Sequence, residues 1–277
     1  MKTKIGTVSL VGCVVALSLC LVAGQAGADD IAWDLVSSTS QNLVSFGTDA
    51  PAFSSPGDGF DKYTVGVSES IPYTLVDDTN AGYPPDAVGI IDAATDFDEF
   101  FGVVDIVNND NTTPLHATWV FDISSGTDNL ELHVDLAAMG NFEADDMYEW
   151  SYQVDGGGAQ TFLTAVADED GAMTYTMADG TTRDLDDPLT VNGTTLYNDF
   201  QSFSTAIPTT GSQLTVVLTS LTDGGSEGYV ARNILVTAAD QPSGGGGEPI
   251  PTISETGVAI MVLLLIAGAV FLFRRRR

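Results

Sequence analysis

Leu130-Glu131-Leu132-His133-Val134-Asp135-Leu136 alternates apolar and polar residues without a break. A period of two places Leu130, Leu132, Val134 and Leu136 on one face and Glu131, His133 and Asp135 on the other, the pattern of a half-buried strand. Neighbouring segments repeat it. Ala117, Trp119, Phe121 and Ile123 oppose Thr118, Val120 and Asp122, while Tyr148, Trp150, Tyr152 and Val154 oppose Glu149, Ser151, Gln153 and Asp155. Shorter runs occur at Met173, Tyr175 and Met177, at Leu214, Val216 and Leu218, and from Val230 to Val236. Turn chemistry separates them: Ser125-Gly126, Asp155-Gly156-Gly157-Gly158, Asp170-Gly171, Asp179-Gly180, Asn192-Gly193 and Asp223-Gly224-Gly225. No apolar 3.6-residue period is sustained between the two ends of the chain. The spacing predicts an all-β chain, folded as a single two-sheet β-sandwich of jelly-roll type.

The stretch from Ile31 to Asn111 is less regular. Its candidate strands are Asn42 to Phe46, Tyr63 to Val67, Tyr73 to Val76, Gly89 to Ile91 and Phe101 to Val107, with Pro51, Pro56, Pro84 and Pro85 between them. No linker divides it from the regular strands beyond Pro114, and Asn108 to Thr113 reads as a turn. Residues 29–240 are therefore expected to form one domain, in which early strands pair with late ones. The linker comes afterwards, at residues 241–249, where Gly244 to Gly247 form a flexible tether.

The chain has 277 residues, 38 acids, nine lysines and arginines, and a formal net charge of −29. Every acid but Glu255 lies between Asp29 and Glu248, against only Lys62, Arg183 and Arg232 in that stretch. Such a field repels nucleic acid and favours cations and solubility. Trp33, Trp119, Trp150 and the patterned Phe and Tyr residues exclude a disordered polar tract.

The two ends read as export signals. Lys2 and Lys4 precede an apolar run from Ile5 to Ala23, and Ala26-Gly27-Ala28 forms a small-x-small site before Asp29. Residues 1–28 are expected to be a secretory signal peptide cut between Ala28 and Asp29 by signal peptidase. Leu10-Val11-Gly12-Cys13 also matches a lipobox, although cleavage there would leave an apolar N-terminus. Cys13 and Cys20 are the two cysteines of the chain, so the exported part carries neither disulfide nor thiol nucleophile. At the other end, the uncharged run from Gly257 to Phe273 would make about 26 Å of helix at ~1.5 Å per residue, near the lower limit for crossing a bilayer. Arg274 to Arg277 would hold that end in the cytoplasm.

Ile250-Pro251-Thr252-Ile253-Ser254-Glu255, with Gly257, the apolar run and the arginines, resembles the IPTL-CTERM sorting signal. This is a relative of the PEP-CTERM tails that exosortases process in Gram-negative bacteria. Ile253 stands where Leu is usual and Thr256 where Trp is common. The resemblance implies an inner-membrane precursor, cut by an exosortase-type membrane protease and passed to the surface or released. A sortase site at Ile253 to Gly257 would need Pro in place of Ser254, and an uncut permanent anchor is the simpler alternative. The segment from Trp119 to Leu235 also resembles jelly-roll domains of secreted bacterial proteins with such tails. The carriers are Phe142-Glu143-Ala144-Asp145-Asp146, Tyr148 to Val154, Asp155-Gly156-Gly157 and Arg232-Asn233-Ile234. Arg232 departs from the Asp usual at its position, which puts in doubt any cation site built there.

Catalytic signals are sparse. His116 follows Pro114, where a turn histidine is expected, and His133 falls on the polar face of its strand. There is no Gly-x-Ser-x-Gly, His-Glu-x-x-His or phosphate-cradling loop. Among the many acids, Glu143 with Asp145 or Asp146, and Glu149, lie nearest to aromatics that could stack on a sugar. Calcium, which takes six to eight oxygens, suits the acidic turns better. Its candidate ligands are Asp105, Asn109 and Asp110 with Asn108 and Asn111, then Glu143, Asp145 and Asp146, then Asp168 and Asp170 with Glu169. The expected function is that of a non-catalytic exported surface or extracellular-matrix protein. A carbohydrate-binding module with structural Ca²⁺ and a surface-glycan partner is the alternative, with a glycan-active hydrolase third.

Overall fold

The computed structural model describes residues 28–68, 70–80, 83, 86–126 and 128–239. Residues 1–27 of the expected signal peptide 1–28, the linker 241–249 and the sorting tail 250–277, with its helix 257–273 and motif Ile250 to Glu255, lie outside the described residues. In chain order the strands are β1 (Ala28–Val36), β2 (Thr39–Gln41), β3 (Leu43–Thr48), β4 (Gly59–Tyr63), β5 (Val76–Asp77), β6 (Ile91–Asp92), β7 (Phe100–Val104), β8 (Leu115–Asp122) and β9 (Leu130–Met139). They continue as β10 (Met147–Val154), β11 (Gln160–Ala167), β12 (Ala172–Thr176), β13 (Thr182–Asp186), β14 (Leu189–Val191), β15 (Thr194–Thr195), β16 (Gln201–Ile207), β17 (Gln213–Leu221) and β18 (Gly228–Ala239). One short 3₁₀ turn, Tyr73–Leu75, is the helical element among the described residues. None of their helices is long and apolar enough to cross a membrane.

Two seven-stranded sheets carry the fold. The first runs β16-β9-β18-β1-β2, with β7 also pairing β18 and β4 pairing β7, and the second runs β15-β14-β11-β10-β17-β8-β3. Their pairings are antiparallel. The chain passes from one sheet to the other between β8 and β9, β9 and β10, β16 and β17, and β17 and β18, which is the alternation of a jelly-roll-like sandwich. As expected, early strands pair with late ones: β1 lies against β18, with Trp33 opposite Leu235, and β3 lies against β8, with Phe46 opposite Trp119.

The inward faces are those that the alternation marks. Leu130, Leu132, Val134 and Leu136 of β9 meet Trp119, Phe121, Trp150, Val216 and Leu218 of the second sheet in one core. Trp119 and Trp150 stack with ring centres 5.5 Å apart, and Phe101 meets Trp119 edge-on at 5.3 Å. Such pairs add about 0.5–1.5 kcal/mol beyond the area they bury.

A second core lies on the outer face of the first sheet. Phe100 and Val104 of β7, Ala137 and Met139 of β9 and Val230 of β18 point outward and are covered by Ile71, Leu75, Val76, Val88, Ile90 and Ile91. Tyr175 and Met177, on and beyond β12, close its side. Asp77 holds the cover in place: its carboxylate accepts from Thr79 and from the backbone N–H of Ala178.

This cover corrects the reading of the early segment. The strand expected at Tyr63 to Val67 ends at Tyr63, where Thr64 to Val67 turn through Gly66 at φ +78°. Tyr73 to Leu75 is the 3₁₀ turn, and β6 begins at Ile91 rather than Gly89. The strand expected to reach Val107 stops at Val104, because Asp105 adopts φ +43°. Strand β1 escaped the periodicity: a bulge between Asp30 and Ala32 and a φ of +58° at Leu35 break its alternation. Ala28 and Asp29, at the expected peptidase site, are its first residues.

Candidate metal centre

Two connections cross between the sheets side by side at one end of the sandwich. Met139 pairs with Gly228, and Met147 pairs with Leu221, so the β9–β10 and β17–β18 connections enter and leave next to each other. Glu143 and Asp146 lie on the first and Glu227 closes the second. Oxygens of these three carboxylates all fall within 4.8 Å of one another. In the first connection the N–H of Asp146 donates to the Glu143 carbonyl at 3.0 Å, and the N–H of Glu143 donates to Asp146 Oδ2 at 2.9 Å. In the second, Thr222 Oγ1 donates to Glu227 Oε2 at 2.8 Å. Two glycines make the approach possible. A Cβ on Gly224 would overlap the Glu227 carboxylate, and one on Gly140 would lie 2.8 Å from the Glu227 Cα.

Burial makes the Asp146 and Glu227 pair electrostatically costly, while Glu143 is exposed beside them. Glu227 is 3 % exposed, Asp146 7 % and Thr222 1 %. Among the described residues no basic side chain forms an ion pair with it: Lys62 is held by Asp34 and Arg232 by Asp96. Desolvation, reinforced by the neighbouring carboxylates, pushes the proton affinities of Asp146 and Glu227 above the usual carboxylate range. The fully buried Tyr148 hydroxyl has no hydrogen-bond partner by distance and angle, although it lies beside Asp146, Thr222 and Glu227. Ser220 Oγ, on the residue paired with Tyr148, is also buried without a partner. A cleft of about 50 Å³ opens onto Asp146, Thr222, Asp145 and Asp223. It is far smaller than the ~300–1,000 Å³ of ordinary small-molecule sites.

The other residues singled out by sequence are held apart. Asp110 accepts from both the N–H and the hydroxyl of Ser54 at 2.7 Å, which lowers its proton affinity and occupies it as a loop clamp. Asp105 faces Asp58 and Asp223 instead, and burial with that crowding raises its pKa to about 6. Asn109 is exposed in the same loop. Asp168, Glu169 and Asp170 form an exposed turn after β11, with Gly171 N–H donating to the Asp168 carbonyl. Asp145 is exposed at the mouth of the small cleft. Glu227 was missed by sequence reasoning, and its one signal is an acid closing the Gly-rich turn Asp223-Gly224-Gly225.

The aromatics that could have stacked on sugar belong to the core: Tyr148, Trp150 and Tyr152 turn inward. His116 sits at the start of β8 rather than in a turn, and its Nδ1 lies 2.8 Å from Asp49 Oδ2. His133 lies on the solvent face of β9, 3.1 Å from the Thr237 hydroxyl. Arg232 brings its own positive charge to the position in question: it pairs with Asp96 at 2.8 Å and lies over the Phe200 ring at 3.7 Å.

Comparison with known proteins adds one decisive match. Residues 248–277 match the IPTL-CTERM motif. An IPTL-CTERM tail implies C-terminal sorting of an exported protein and processing by an exosortase-type membrane protease. No curated protein matches the chain. Among solved structures, the crystal structure of the bacteriophage CBA120 tailspike protein 4 enzymatically active domain is similar over 70 % of this chain and 19 % of that one. The identity is 10 % and the TM-score 0.29, too slight a likeness to bear on function. This chain thus spans about a fifth of that structure's length.

Proposed function

We propose that the chain is a non-catalytic surface or extracellular-matrix protein of a Gram-negative bacterium. It leaves the cytoplasm by a secretory leader cut after Ala28, pauses in the inner membrane through residues 257–273, and is freed by cleavage near Ile250 to Glu255. The observation that carries this reading is the IPTL-CTERM match at residues 248–277. Two features of the sandwich support a role without catalysis. The cleft beside its acid cluster is far smaller than an ordinary small-molecule site, and its two histidines stand on different sheets, each beside an ordinary partner. The inward-turned aromatic strand weighs against a carbohydrate-binding module.

Fractionation tests it. In cells with a competent sorting system, the whole chain is expected in the surface or medium fraction. The same chain with Arg274 to Arg277 replaced by Ala, or made in cells lacking the exosortase, is expected to accumulate in the inner membrane. Equal surface delivery in all three would refute tail-directed sorting.

A further inference from the structure

We propose that Glu143, Asp146 and Glu227 bind one divalent cation of the calcium class, which pins the two sheet-crossing connections together. The site stands whether or not the tail is processed. Its geometry suits a hard cation of that size. Calcium holds its oxygens at about 2.3–2.6 Å, so ligands on opposite sides of the ion lie nearly 5 Å apart. One oxygen from each of the three carboxylates lies within 4.8 Å of the other two, brought together from two chain segments some 80 residues apart in sequence. Carboxylates can each bind through one or two oxygens, and the cleft beside Asp146 and Thr222 has room for water in the remaining positions.

Three further observations point to an occupant. Asp146 and Glu227 are buried side by side with the exposed Glu143 at their rim, and among the described residues no base pairs with them, an arrangement that a divalent charge would compensate. The wholly buried Tyr148 hydroxyl makes no hydrogen bond of good geometry, and Asp146, Thr222 and Glu227 are polar groups beside it. Buried polar atoms in folded proteins are normally satisfied, and a coordinated water or the ion itself would satisfy this one. Finally, Gly140 and Gly224 leave the space that Glu227 occupies; with side chains there the carboxylate could not reach the cluster. The cation would act at one place in the fold. The β9–β10 and β17–β18 connections both run between the sheets, so an ion shared by Asp146 and Glu227 ties the sandwich across its open end.

The test uses the purified full-length protein in detergent, stripped with chelator and then titrated with Ca²⁺ alone. Wild type is expected to bind one more equivalent of Ca²⁺ than Glu227→Gln, and to melt at a higher temperature with Ca²⁺ than with chelator, since a ligand selective for the folded state raises stability. Asp168→Asn, in the exposed turn, is expected to behave as wild type. Glu227→Gln should lose the Ca²⁺-dependent rise yet melt no lower than wild type in chelator, because the amide matches the carboxyl in shape and carries no charge to bury. A residue that merely packs would instead lower both melting temperatures. Should Glu227→Gln fail to fold, Asp146→Asn gives the same reading, with Ca²⁺ affinity at least tenfold weaker than wild type. Equal Ca²⁺ stoichiometry and affinity in wild type and the folded variant, or a wild-type melting temperature indifferent to Ca²⁺, would overturn the site.

Discussion

Asp34 and Asp86 are partly or wholly buried acids with opposite consequences. Asp34 accepts from Trp119 Nε1 at 2.8 Å and pairs with Lys62, whose ammonium lies 4.3 Å above the Phe46 ring. Removing one partner of such a pair strands the other's charge in the interior. Asp34→Ala is therefore expected to cost about 3–5 kcal/mol in urea unfolding, and a loss below about 1 kcal/mol would show that Lys62 simply swings into solvent. Among the described residues no cation pairs with Asp86. Burial first, then the nearby Asp78, raise its pKa to about 6. The unfolded chain holds this proton only below about 3.9. Between those values the native state binds more protons, so this group adds stability as pH falls from 7 towards 4. Asp86→Asn removes the charge, while its Oδ1 can still accept from the Val88 N–H. The variant should melt higher than wild type at pH 7, with the difference shrinking by pH 5. A lower melting temperature at pH 7, with an unchanged slope, would mean that the carboxylate is stabilising after all.

At the scale of elements, the outer cover of the first sheet is the feature that most needs testing. Leu75 is fully buried against β7 and β18 from a segment that contributes only a 3₁₀ turn and two-residue strands. Leu75→Ala is expected to cost about 2–5 kcal/mol, the usual range for a core truncation. A change under about 1 kcal/mol, measured by denaturant unfolding, would show that the cover opens independently of the sandwich. This layer also explains what the sequence concealed. Strands with one wet face, such as Leu130 to Leu136 and Tyr148 to Val154, announce themselves by strict alternation. The same β9 loses its alternation at Leu136-Ala137-Ala138-Met139, all buried, because the cover sits on the other face. Strand β7 is buried at all five positions for the same reason. Conversely, β13 and β16 lie where much of their surface is solvated, and their polar residues hid them. The candidate centre was half legible: Glu143 and Asp146 are three residues apart in one turn, but only the pairing of Met139 with Gly228 brings Glu227 to them.

For the whole molecule, the acidic sandwich and the two chain ends give different kinds of information. A net charge of −29 over the whole chain favours hydration and attracts cations. The same charge makes a bound cation more useful here than in a balanced protein. Neither property says where the protein works. That comes from the IPTL-CTERM tail at residues 248–277 and the four arginines that end it. Intact mass spectrometry of the protein recovered from sorting-competent cells addresses that central claim most directly. The expected mass is that of a chain beginning at Asp29 and ending within or near Ile250 to Glu255, without Gly257 to Arg277. A mature chain that still ends in Arg277 would contradict it.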